Sequence, residues 1–117
     1  MAQPNIVNVA TIRGNTALAN VTNVMTALVT NSASSNSVYK VNAIYISNID
    51  SANSATANVV IRRSGFDYYI TDAVSVPVQS TLDVISKAIY LQEGDTLRVS
   101  GSANDRLHVV CSYEDIS

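Results

Sequence analysis

The sequence predicts an all-β fold: an antiparallel β-sandwich or jelly roll of eight to ten short strands, with an N-terminal arm. Three observations carry that prediction. Val, Ile, Thr and Tyr recur throughout the chain, and their branched or aromatic side chains suit a pleated surface. Turn-forming Asn, Ser, Asp and Gly interrupt it at short intervals. Helical spacing is confined to one stretch, Ala17, Leu18, Val21 and Met25, where the Thr and Asn content favours strand instead.

The elements follow in order. "IVNVATI" (6–12) is a strand with apolar residues on both faces. Arg13-Gly14-Asn15 reads as a turn after it, so residues 1–12 form an arm or swapped strand and 13–117 a single sandwich domain. "TALANVT" and "VMTALVT" are two weaker strands broken near Asn23. A small polar loop, 31–37, leads into "VYKVNAIYISN" (38–48), where strict alternation puts Tyr39, Val41, Ala43, Tyr45 and Ser47 on one face. After a second polar loop come "ANVVIRR", a turn at Ser64-Gly65, and "FDYYIT". Pro77 has no amide hydrogen and belongs at an edge or between strands. "TLDVIS" and "AIYL" follow. Glu93-Gly94-Asp95 then reads as the bend of a hairpin into "TLRVSG", and Ser102-Ala103-Asn104-Asp105 as a turn into "RLHVVCSY".

One domain of 117 residues should fold to roughly 6,000 Å² of accessible surface from roughly 18,000 Å² unfolded, enough burial for a core without disulfides or metal. Only 14% of residues are charged and the net charge is −2. Arg62-Arg63 is the only basic pair, which argues against a nucleic-acid partner. No apolar run approaches the ~18 residues of a membrane span, and nothing resembles a signal peptide. The polar surface is made of Ser, Thr and Asn, a skin only weakly repelled by neighbouring subunits.

Candidate chemistry is sparse. Glu93 and Asp95 flank a single glycine, whereas a hydrolytic acid pair sits across a substrate on separate elements. As turn residues they should face solvent, with Asp95 bonding the amide two residues on to close an Asx turn. The lone His108 and the lone Cys111 are three apart, so a strand points them to opposite faces, and a shared zinc site is disfavoured. Cys111, in an apolar run, reads as a small buried hydrophobe. No Asp-x-Asp-x-Asp calcium spacing, phosphate-cradling glycine run or Gly-x-Ser-x-Gly elbow is present. The reading is of a non-enzyme without catalytic residues, metal or cofactor. Candidate interface residues are Ile6, Val7, Val9 and Ile12 of the arm, which needs a covering strand, and Tyr68 and Tyr69 of the densest aromatic cluster.

Three stretches, "VYKVNAIYISNID", "VISKAIYLQEGDTL" and "CSYEDI", together with the opening "NIVNVATIRGN", resemble small virion structural proteins of tailed bacteriophages, especially those infecting marine cyanobacteria. The resemblance implies a head decoration or cement protein on the outer surface of the virion, made in the host cytoplasm. Its partner would be the major capsid protein or another virion protein. A tail, neck or baseplate accessory protein, or a carbohydrate-binding module for host attachment, is the alternative. The "LQEGDTL" segment is also similar to a hairpin of trimeric jelly rolls of the complement and tumour-necrosis type, which implies a homotrimer. The Glu93–Asp95 and Ser102–Asp105 turns are expected at one end of the sandwich.

Overall fold

A computed structural model describes residues 11–117. They form nine strands: β1 (Ile12–Val21), β2 (Thr26–Thr30), β3 (Val38–Asn48), β4 (Ala55–Arg63), β5 (Phe66–Val76), β6 (Thr81–Asp83), β7 (Ile89–Leu91), β8 (Thr96–Gly101) and β9 (Leu107–Ile116). No helix occurs among the described residues. One sheet runs β1-β9-β3-β6, with β7 also on β3; the other runs β2-β8-β4-β5, and every pairing is antiparallel. If β6 and β7 are read as two pieces of one interrupted strand, the strands pair first with last, second with second-to-last, and so on inward to β4 with β5. That nested order is a jelly roll.

Only one connection among the described residues is a hairpin. Ser64 and Gly65 join β4 to β5 with φ of 55° and 82°, and Arg63 pairs with Phe66. Two consecutive positive φ values are the two-residue turn whose twist matches the strands on either side. Every other consecutive pair of strands either changes sheet or, as with β6 and β7, lies on the same neighbour without pairing. The Glu93-Gly94-Asp95 bend therefore corrects one expectation. It is a turn, with Gly94 at φ 86°, but it carries the chain from β7 in one sheet to β8 in the other. The Ser102–Asp105 turn likewise crosses from β8 to β9, and because β8 runs between the two turns they stand at opposite ends of the sandwich.

Two further expectations change. Arg13-Gly14-Asn15 is not a turn but part of β1, paired residue for residue with β9. Neither Gly14 nor Asn15 has left-handed backbone, so the Gly-Asn dipeptide is simply extended. In β3 the register shifts between Val41 and Ala43. The extra residue, Asn42, is exposed, and it exchanges the faces: Tyr39 and Val41 share the inner side with Ile44 and Ile46, not with Tyr45.

The core lies between the sheets. Val41, Ile44, Ile46, Leu107, Val109 and Cys111 from one sheet meet Val29, Ala57, Val59, Leu97 and Val99 from the other. The fully buried Ile and Leu side chains each contribute ~1.5–3 kcal/mol of transfer free energy. Gly101 is needed where the sheets converge: an added Cβ would stand 3.0 Å from Leu107 Cδ1 and 3.1 Å from Val21 Cγ1. The accessible surface is 6311 Å², close to that expected for a chain of this length.

Candidate interaction surface

Burial in β1 separates its two faces. Ala17, Ala19 and Val21 pack on the core, while Thr16, Leu18 and Asn20 are exposed on the outer face. Residues opposite one another across a ladder share a face, so the outer side of this sheet can be read in rows. Leu18, Val110 and Tyr45 make one apolar row. Ile12, Ile116 and Val38 are in register at the far end of β1, but there only Ile12 is exposed, Ile116 and Val38 being buried. A polar row, Asn20, His108, Ser47 and Thr81, borders the first, with the Ser47 and Thr81 hydroxyls 2.9 Å apart. A groove of about 340 Å³ runs between Leu18, Asn20, His108 and Val110. Leu18 is 71% and Ile12 56% exposed, large values for residues of their hydrophobicity.

The hydrogen-bond pattern shows what β1 offers along the edge that is unpaired among the described residues. Thr11 and Ser117 exchange both backbone bonds at 2.9 Å. Alternation along an antiparallel ladder then turns the amides of residues 13, 15, 17, 19 and 21 toward β9. Those of Ile12, Gly14, Thr16, Leu18 and Asn20 point away from the sheet. None of these five residues is charged or proline.

The other edges are blunted. β2 has five residues and a register shift, and β6 and β7 have three residues each. β5 is long but bulged twice. At one bulge Ala73 adopts φ 54°, and its amide donates to Asn58 Oδ1 at 2.6 Å. Short strands and bulges prevent edge-to-edge pairing. β1 has ten consecutive pairs without a shift and none of these devices.

At the tip of the β4–β5 hairpin Tyr68 and Tyr69 are both exposed, at 61% and 57%, but consecutive strand residues point to opposite faces. Tyr68 instead shares a side with the equally exposed Phe66 and lines a cleft of about 250 Å³ with Ile61 and Arg63. The Arg63 guanidinium is locked there by Asp95: Nε donates to Oδ1 at 2.7 Å and Nη2 to Oδ2 at 2.6 Å. Asp95 is fully buried and also accepts the Gln92 amide at 2.8 Å, which corrects its expected place in solvent. Its backbone and that of Gly94 clasp Asn31 in the 31–37 loop. Asn31 in turn donates to the carbonyls of Ser37 and Leu91 and accepts from the Ser35 hydroxyl. Glu93 accepts the Asn36 amide at 2.7 Å. These acids hold a corner together.

His108 is exposed on the outer face and Cys111 buried on the inner one, as their spacing requires. Burial pushes the Cys111 thiol up to about 11. Tyr39 and Tyr113 pack with ring centroids 5.2 Å apart at an end of the inner face, and their phenols are raised, first by burial and then by negative neighbours that include Asp115. Among the described residues no group of three or more His, Cys, Asp or Glu is placed to hold a metal ion.

Of the expected interface residues, Ile12 is exposed at the start of β1, and Tyr68 and Tyr69 are exposed on separate faces. Ile6, Val7 and Val9 lie outside the described residues. Sequence reasoning missed Leu18 and the free edge of β1, because a turn assigned at Arg13-Gly14-Asn15 divided that strand. The missed signal was the continuous alternation Ala17, Ala19, Val21 against Thr16, Leu18, Asn20. No protein-family model matches the chain, and no curated protein sequence matches it.

Proposed function

We propose that this chain is a virion structural protein of a tailed phage, a head decoration protein that stabilises the shell by binding assembled capsid subunits. What supports the reading is the resemblance carried by Tyr39–Asp50, Val84–Leu97 and Cys111–Ile116, on a jelly roll whose surface is poor in charge. The observation that carries it furthest is the edge of β1, unpaired among the described residues, where an extended strand of a neighbour finds a row of outward-facing backbone groups. A ligand that binds the assembled lattice and not its disrupted state shifts the balance toward the intact shell by mass action. Imaging of the particle tests this. Density for the chain in hundreds of copies over the head supports it; a dozen or fewer copies on the tail, neck or baseplate moves the protein there.

A second reading rests on a separate observation. Tyr68 lines a cleft that also holds a fixed guanidinium, with the exposed ring of Phe66 on the same side of the strand, a combination suited to stacking on a sugar. A glycan array settles that use: binding lost in the Tyr68→Ala variant supports it, and an array without hits dismisses it.

A further inference from the structure

We infer that the free edge of β1 pairs with the same edge of a second copy, antiparallel about a two-fold axis at Asn15. The inference goes beyond the virion role but concerns the same edge: in the isolated protein a second copy occupies it, and a strand of a capsid neighbour would have to displace that copy.

Three features point to this occupant. The edge is suited to pairing: the amides and carbonyls of Ile12, Gly14, Thr16, Leu18 and Asn20 face outward, none of the described strands pairs with them, and β1 has no bulge or proline and a single charge, Arg13. A symmetric pairing is also permitted by parity, because in an antiparallel ladder hydrogen-bonded residues oppose one another, and all five have even numbers. A two-fold at Asn15 sets Ile12 of one copy opposite Leu18 of the other, and Gly14 opposite Thr16, each twice by symmetry.

The exposed side chains choose among the allowed registers. Placing the axis at Thr16 sets Leu18 against Gly14 and Ile12 against Asn20; at Gly14 it sets Ile12 against Thr16. Only the axis at Asn15 joins the two most exposed apolar residues of the strand, 71% and 56% accessible. It also sets the exposed Ile12 of one copy beside the Leu18–Val110–Tyr45 row of the other. The single charge of β1 is accommodated, because Arg13 meets Ala17 rather than the second Arg13. Self-complementarity of one patch is what a two-fold interface demands. The result is one sheet continuous across both molecules.

The test uses the whole chain. Light scattering is expected to give twice the mass of one chain, and Thr16→Pro to return it to a monomer with an unchanged circular dichroism spectrum, since the Thr16 amide serves the edge and not the β1–β9 ladder. Leu18→Asp, at a solvent-exposed position, repeats the test should proline disturb folding. Asn15→Cys is expected to form a reducible disulfide-linked dimer, because an opposed pair of this kind has Cα atoms about 4.5 Å apart, inside the range for a disulfide. Ala19→Cys is not. A monomer at the highest soluble concentration overturns the inference. So does a trimer, the state implied by the resemblance of the 91–97 segment, and so does crosslinking at Ala19 equal to that at Asn15.

Discussion

Asp95 illustrates how much a single side chain does here. Both carboxylate oxygens bind Arg63, one also receives the Gln92 amide, and the group has no exposure to water. Removing one partner of such a pair ordinarily costs ~3–5 kcal/mol because the other charge is stranded. Arg63 is half-exposed and can regain water, so Asp95→Ala is expected to lose less, about 2–3 kcal/mol, read as a lower urea midpoint. Cys111 makes a different prediction. Its thiol is held near 11, against 9.0 for an unburied one, because burial disfavours the thiolate. The folded state therefore keeps its proton where the unfolded state has lost it. Stability is complete below pH 9 and declines as pH rises from 9 to 11, by up to about 2–3 kcal/mol. The raised phenols of Tyr39 and Tyr113 act in the same direction. Thermal melts across that range should fall more steeply for the natural chain than for Cys111→Ala, and a thiol reagent should label Cys111 only on unfolding.

At the scale of elements, strand edges divide into guarded and unguarded. β5 carries the guard: Asn58 accepts the Ala73 amide and donates to the Ser100 hydroxyl, fixing a bulge in which Ala73 holds a left-handed backbone. A residue with a Cβ is strained there. Ala73→Gly is expected to stabilise the fold by about 0.5–1 kcal/mol, measured as a higher denaturation midpoint. Gly94 is the reverse case, since φ 86° is already occupied by the residue that tolerates it. Gly94→Ala should cost about 1 kcal/mol although nothing stands within 4 Å of the added Cβ. The element boundaries most legible in the sequence were those written in side-chain chemistry. β3 was read over its full span, the Ser64-Gly65 turn was found, and Pro77 falls between β5 and β6. The Asn42 bulge was not legible, because its signal is a pairing register with β9, some 70 residues away.

The whole molecule is a hairpin wound on itself. Every ladder joins a strand that precedes the Ser64-Gly65 turn, β1 to β4, to one that follows it, β5 to β9. Among the described residues neither half contains a strand pair of its own. Fragments 1–64 and 65–117 should each be unstructured alone and acquire β-type circular dichroism on mixing; a folded spectrum from either fragment would contradict this. Because nearly all pairing is distant in sequence, chain closure precedes most of the stabilising contacts, and the intact protein should refold on the millisecond-to-second scale of other sandwiches.

The amino-acid sequence determined the class of fold, the turns at Ser64-Gly65, Glu93-Gly94-Asp95 and Ser102–Asp105, and the opposite faces of His108 and Cys111. These depend on backbone preference and on alternation, which act within a few residues. Tertiary structure decided which turns close a hairpin and which cross between sheets, that Asp95 is buried against Arg63, and that among the described strands β1 is the long regular edge while β5 is bulged. Those outcomes depend on partners brought from the other half of the chain, and a local segment holds no record of which strand will come to lie beside it.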